Sequence, residues 1–224
     1  MKKNVFLALA IVMALACSGV SKRTMGIHMV QEPTSLEEVK GYAQGEWQSL
    51  TVELRPTEDR AGKGKIQPTY LKRSFKYLKG DSFEGTITMF ADQYGKAPLM
   101  KFEFKGDLKW GNRHPIAEGA YEIDYVLNEG FALTPLHPKA AAMLNSIPVK
   151  GLPKFKAGQT QDILRKPFPL FKIAKGQIVT DYDLIYFRNG MLFMGAKHVD
   201  GTPFDKPSRR PHQLQIPLRR VYKS

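Results

Sequence analysis

The chain has 224 residues and a formal net charge of +13, with 42% hydrophobic and 25% charged residues. These are ordinary globular proportions, and a chain this long buries about 70% of its extended surface, so it does not depend on disulfides to fold. The basic surplus points to polyanionic surroundings, which in a cytosolic protein would mean nucleic acid; the N-terminus argues against that reading.

Lys2 and Lys3 precede an apolar run over 5–15, and Ala14-Leu15-Ala16 is a small-residue cleavage site. The pattern predicts a secretory signal peptide over 1–16, too short to span a bilayer comfortably. No later apolar run is long enough to cross one. Cys17 is the only cysteine. In an exported protein it has no internal disulfide partner. A reactive thiol needs a folded site around it, which the edge of a signal does not supply. Lipid attachment remains: Ala14-Leu15-Ala16-Cys17 resembles a bacterial lipobox, with Ala14 where Leu is commonest. Ser18 fits outer-membrane sorting, and several acyl chains make a durable anchor. The expected localisation is the cell envelope, at the outer membrane facing the periplasm, with 17–44 as attachment site and tether. Plain cleavage to a soluble periplasmic protein is the alternative. In that setting the basic surplus meets lipid headgroups, lipopolysaccharide or anionic glycans, not nucleic acid.

A short helix is expected near 35–43. From Glu46 the pattern turns to period two, giving a first strand over 46–54 and then a loop with Pro and Gly punctuation over 55–68. A strand over 69–78 sets Leu71, Phe75 and Tyr77 on one face. Lys79-Gly80-Asp81 makes a turn, and 83–91 is the next strand. After a turn at 92–96, Phe102 and Phe104 alternate with Lys101, Glu103 and Lys105 over 99–105. Over 116–127, Tyr121, Ile123, Tyr125 and Leu127 oppose Glu122 and Asp124. A helix over 137–147 has Pro138 in its first turn, and 149–169 reads as loop. Strands resume at 170–174 and 177–187. Asn189-Gly190 signals a hairpin before 191–196, and a last strand over 213–218 ends at Pro217. The sum is a mainly β domain over 45–224: a curved antiparallel sheet closing into a single β-barrel of about eight strands, with one or two short helices. Closure hides the sheet edges.

Several fragments in this order carry a resemblance: Glu46 to Ser49, Glu53 to Pro56, Leu71 to Phe75, Phe90-Ala91-Asp92 with Ala97-Pro98, Gly119 to Tyr125, and Ala142 to Asn145. Their order and spacing resemble the adenomatosis polyposis coli down-regulated domain family, known from animals as membrane-anchored Wnt inhibitors, over about residues 45–195. The resemblance implies a bacterial single-domain member, with a curved β-barrel whose apolar cavity binds lipid. It departs from the animal pattern at Val52 and near Gly95, where that pattern has cysteines, so the implied disulfide is absent. A bacterium has no Wnt, so an acyl ligand carries over and the animal partner does not.

The residues allow such a cavity and also its opposite. Phe90, Met100, Phe102, Phe104, Tyr121, Tyr125, Tyr186 and Phe193 are the expected apolar lining, and Met residues adapt to irregular ligands. An eight-stranded barrel is just wide enough for its own side chains to fill it, which leaves a structural or protein-interaction module as the alternative. Arg55 and Arg73 are the headgroup candidates, with Lys72, Lys101 and Lys105 as further cations; the alternative for Arg55 is a structural ion pair with a carboxylate across strands, and for the others a solvated outer face. For an enzyme acting on lipid or glycan there are two carboxylate pairs, Glu122 with Asp124 and Asp181 with Asp183, but each reads as a solvated strand face. His198 and Asp200 could touch a metal, yet His114, His137 and His212 are scattered. No catalytic residue, metal or cofactor is expected. The C-terminal arginines, Arg209, Arg210, Arg219 and Arg220, with Lys223, are expected to face water or headgroups. The expected partners are a fatty acyl ligand and the membrane that holds the anchor.

Overall fold

The computed structural model of the protein describes residues 31–59, 64–146, 149 and 151–222. The expected signal peptide, Cys17 and Lys223 lie outside them. The fold is mainly β, with 49% strand and two α-helices among the described residues. No described helix is long and apolar enough to cross a membrane.

Helix α1 (Leu36–Ala43) opens on a capping box: Ser35 Oγ accepts from Glu38 N at 3.3 Å, and Glu38 Oε2 accepts from Ser35 N at 3.1 Å. It buries Val39 and Ala43. The Trp47 indole donates to Ala43 O at 2.7 Å, and Trp47 is fully buried beside Tyr42 and Phe187. The strands follow as β1 (Gly45–Ser49), β2 (Glu53–Asp59), β3 (Lys65–Leu78), β4 (Ser82–Phe90), β5 (Pro98–Arg113) and β6 (Tyr121–Pro135). After α2 (Pro138–Asn145) come β7 (Gln161–Asp162), β8 (Val179–Arg188), β9 (Met191–Met194) and β10 (Leu218–Val221).

All pairings are antiparallel. Eight strands form a ring in the order β1-β10-β9-β8-β6-β5-β4-β3 and back to β1, spaced unevenly round its axis. β2 extends the β1 edge of β3, and β7 adds to β6. Side chains alternate faces along a strand, and burial follows that period in β3, where Leu71, Arg73, Phe75 and Tyr77 are buried. It also does so in β6, where Tyr121, Ile123, Tyr125 and Leu127 are buried and Glu122 and Asp124 are not.

Both helices and the Asn189-Gly190 hairpin fall where the sequence places them. Asn189 and Gly190 both have positive φ, 52° and 72°, as a tight primed turn requires. Other boundaries differ. The 46–54 strand is two strands, β1 and β2. The expected loop over 55–68 supplies the arms of the β2–β3 hairpin, with Pro56 opposite Pro68. β5 and β6 run far past 105 and 127. The 170–174 segment is a 3₁₀ turn over Pro169–Phe171, not a strand, because Pro169 starts the turn and Lys172 follows at φ 57°. The last strand begins at Leu218, after Pro217 and not before it.

The closed part of the ring is filled by aromatic rings from four neighbouring strands. Phe83 and Tyr125 meet edge to face at 4.9 Å. Phe75 lies 5.7 Å from Phe104 and 5.8 Å from Tyr125. Gly85 makes this layer possible, since a Cβ there would fall 1.9 Å from the Phe104 ring. A Gly85→Ala chain is expected to lose roughly 1–3 kcal/mol through overpacking, read as a lower urea midpoint at unchanged slope. A midpoint equal to that of the native chain would mean that Phe104 has room to move.

Candidate functional site

Beyond the aromatic layer, the inward face changes character across the sheet. One cross-strand row runs Arg73, Ile87, Phe102, Leu133, and the next runs Glu53, Leu71, Met89, Met100, Pro135. Both rows begin with charge on β2 and β3 and turn apolar on β4, β5 and β6. At the apolar end α2 contributes Leu144, and the following segment contributes Phe155, Ile163 and Phe168, to the same core cluster as Phe102 and Leu133. The Phe171 ring lies 5.5 Å from Phe102 and is 42% exposed. Ile87 and Met89 face inward but are only half-buried.

The charged end is a cluster of three ionic groups. Arg73 Nε donates to both Glu53 oxygens, at 2.8 and 3.1 Å, with both side chains almost fully buried. Arg73 Nη2 donates to Ile216 O at 2.6 Å, and Nη1 contacts Met194 Sδ at 3.4 Å. Ser49 Oγ donates to Glu53 Oε1 at 2.6 Å and accepts from Arg73 N at 2.7 Å. Arg55 Nη2 reaches Glu53 Oε2 at 3.3 Å, while Arg55 Nε is buried with no hydrogen-bond partner among the described residues. Burial, with Arg73 beside it, pushes the Arg55 guanidinium down to about 10, against the pull of Glu53. It is therefore charged at neutral pH, and two cations face one anion.

The structure thus brings both headgroup candidates together, while the proposed lining divides. Phe104 and Tyr125 belong to the filled aromatic layer, where Tyr125 and Tyr77 share a 2.6 Å hydroxyl contact. Met100 and Phe102 lie in the two inward rows. Tyr121 is inward, but its hydroxyl reaches Thr34 O at 3.4 Å, where the N-terminal segment covers it. Phe90 sits on the outer face, in a row with Leu54 and Tyr70. Tyr186 and Phe193 also pair on the outer face, at 5.9 Å, because Phe187, Leu192 and Met194 take the inward positions. Sequence reasoning did not single out Ile87, which lies in an inward row, or Phe171, whose ring lies against Phe102. Ile87 alternates with Thr86 and Thr88, a period-two signal, whereas Phe171 lay in the supposed strand. Lys72, Lys101 and Lys105 are outward. Lys72 helps line a depression of about 120 Å³ with Gln48, Ser49, Arg73, Ser74, Thr86 and Thr88, below the roughly 300 Å³ at which small-molecule sites begin.

The carboxylate pairs are engaged with cations. Arg210, expected in solvent, is buried. It donates to Asp183 O at 2.7 Å, Ile123 O at 3.1 Å and Asp124 Oδ1 at 2.7 Å, and it lies 3.6 Å from Glu122. Arg220 is likewise not in free solvent. It covers the Trp47 ring at 4.5 Å and donates to Tyr42 O and Gln44 O. Lys197 bridges Asp181 at 2.7 Å and Asp183 at 3.5 Å. His114 and His212 stack at 5.4 Å, His137 caps α2, and His198 meets the Phe204 ring at 5.0 Å. No group of three or more metal-ligating side chains occurs among the described residues.

Compared with known proteins, the chain matches no family model and no curated protein.

Asp183 is fully buried, and Oδ1 accepts from Leu184 N and Gly195 N, both at 2.7 Å. Burial raises its carboxyl above the ordinary range, only partly offset by Lys197. The folded chain therefore holds a proton that unfolded Asp, with a pKa of about 3.9, has released. This contribution to stability is present below about pH 3.9 and is lost as pH rises through the elevated folded value. Asp183→Asn is expected to flatten the fall of Tm across that window. Parallel curves for the two chains would contradict the assignment.

Proposed function

We propose that the protein is an envelope lipoprotein that binds an acyl chain or similar apolar ligand at the open end of a partly filled β-barrel. One observation carries this reading: Ile87 and Met89 face inward yet stay half-buried, between a net-positive cluster and the apolar wall of Met100 and Phe102. The ligand lies over that wall, not in the aromatic layer. Burying a sixteen-carbon chain gains on the order of 10 kcal/mol at about 0.8 per CH₂, and ordering ligand and site cancels much of it. The engaged carboxylates favour a binder over a lipid- or glycan-modifying enzyme.

The resemblance to the adenomatosis polyposis coli down-regulated domain belongs to the same proposal. It is supported by the closeness of Val52 and Gly95: a Cβ on Gly95 would lie 2.9 Å from Val52 Cγ2. Anchoring through Cys17, at an anionic membrane, completes the reading. The second reading, an interaction module with a filled core, is favoured by the ring contacts that cross the interior between Phe75 and Tyr125.

Displacement of a fluorescent fatty acid from the full-length protein separates the two. Saturable binding is expected. Ile87→Trp should weaken it at least about tenfold by occupying the wall, while Thr88→Trp on the opposite face of β4 changes it less than about twofold. Absence of saturable binding by the native chain would favour the interaction module.

A further inference from the structure

We propose that the open end selects a free long-chain carboxylic acid, with its carboxylate on Arg55 and its tail over Ile87 and Met89. This rests on the acyl-binding reading above and adds the class of head group.

Donor accounting within the cluster points to the head. Both Glu53 oxygens are engaged, by Arg73, Ser49 and Arg55. Arg73 uses Nε on Glu53, Nη2 on Ile216 O and Nη1 on Met194 Sδ. Among the described residues Arg55 makes one hydrogen bond, from Nη2, at the long distance of 3.3 Å. Its Nε is buried without a hydrogen-bond partner among the described residues. Buried guanidinium donors rarely go unmatched, and a carboxylate takes two parallel N–H bonds from one. Charge gives the same answer. Arg55 and Arg73 against Glu53 leave one positive charge within the three-group cluster; Lys197 stands between Asp181 and Asp183, the latter also within electrostatic reach of Arg55. A monoanion balances the site, whereas a phosphomonoester brings nearly two charges.

Spacing separates a fatty acid from a phospholipid. Arg73 stands directly opposite Ile87, and Glu53 opposite Leu71, which is itself opposite Met89. Directly opposed side chains have Cβ atoms about 4.5–5.5 Å apart, so the apolar wall starts one residue from Arg73, while Arg55 itself stands opposite Thr69 and joins the cluster through Glu53. A carboxylate joined directly to an alkyl chain fits that step. A glycerol spacer puts polar atoms against Ile87 and Met89.

The test uses the full-length protein and three probes of equal chain length: hexadecanoate, hexadecanol and palmitoyl-lysophosphatidylglycerol, each measured by equilibrium displacement. Hexadecanoate is expected to bind at least about tenfold more tightly than either of the others. Arg55→Gln should bring hexadecanoate down to the hexadecanol level, and Lys72→Gln on the outer face should change neither. If the glutamine variant does not fold, Arg55→Lys, which keeps the charge and loses the fork, should still cut the preference at least about threefold. Hexadecanol binding as tightly as hexadecanoate would overturn the carboxylate assignment and leave the acyl site standing. Tighter binding of the lysophospholipid would overturn it as well, and failure of all three probes would overturn both.

Discussion

Ring closure depends on how one edge of β3 is shared. β1 pairs with its C-terminal half, through Trp47 opposite Phe75, and β2 pairs with its N-terminal half, through Glu53 opposite Leu71. The break between them falls at 50–52, and the side chains on either side of it are Ser49 and Glu53, both bonded to Arg73. β1 is thereby turned to meet β10 and complete the ring, while β2 continues along β3 toward the hairpin. Breaking a buried pair of this kind typically costs 3–5 kcal/mol, because the remaining charge has no partner. Arg73 also fixes Ile216 O, so the segment before β10 is held by the same group.

That corner divides the interior into two regions. On one side Phe75, Tyr77, Phe83, Phe104 and Tyr125 pack ring against ring, with the Gly85 position left for Phe104. On the other, inward Ile87 and Met89 remain half-buried, opposite Arg73 and Leu71. The filled region supplies rigidity, and the open region places a cation next to an apolar wall on rigid strands. That is the polarity of an amphiphile, head then tail.

Much of the fold was legible because period and caps agreed. The alternation of Tyr121, Ile123 and Tyr125 with Glu122 and Asp124 is that of a half-buried strand, and Ser35 with Glu38 marks the start of α1. The β2–β3 arms were hidden by Pro56 and Pro68, which read as punctuation but face each other across the hairpin. The expected strand over 99–105 stops one residue short of Gly106, which lies inside β5. In the sheet it is required, since a Cβ there would meet Val126 O at 1.9 Å. For the site, Arg73 stood visibly on the apolar face of Leu71 and Phe75. Its pairing with Glu53, across the hairpin, is a tertiary fact with no local signal. Phe193 misled because Met191 to Met194 is apolar on both faces, so its parity could not be read. Arg210 misled because it sits in an Arg-Arg pair of the kind usually found in solvent.

The most direct measurement is the position of a heavy atom on a bound tail. A crystal of the protein with ω-bromohexadecanoate should give one anomalous bromine peak over the inward face, against Ile87, Met89 or Phe102. A peak confined to the depression near Lys72 and Thr88, or no peak at saturating ligand, would contradict an acyl site at the open end of the ring.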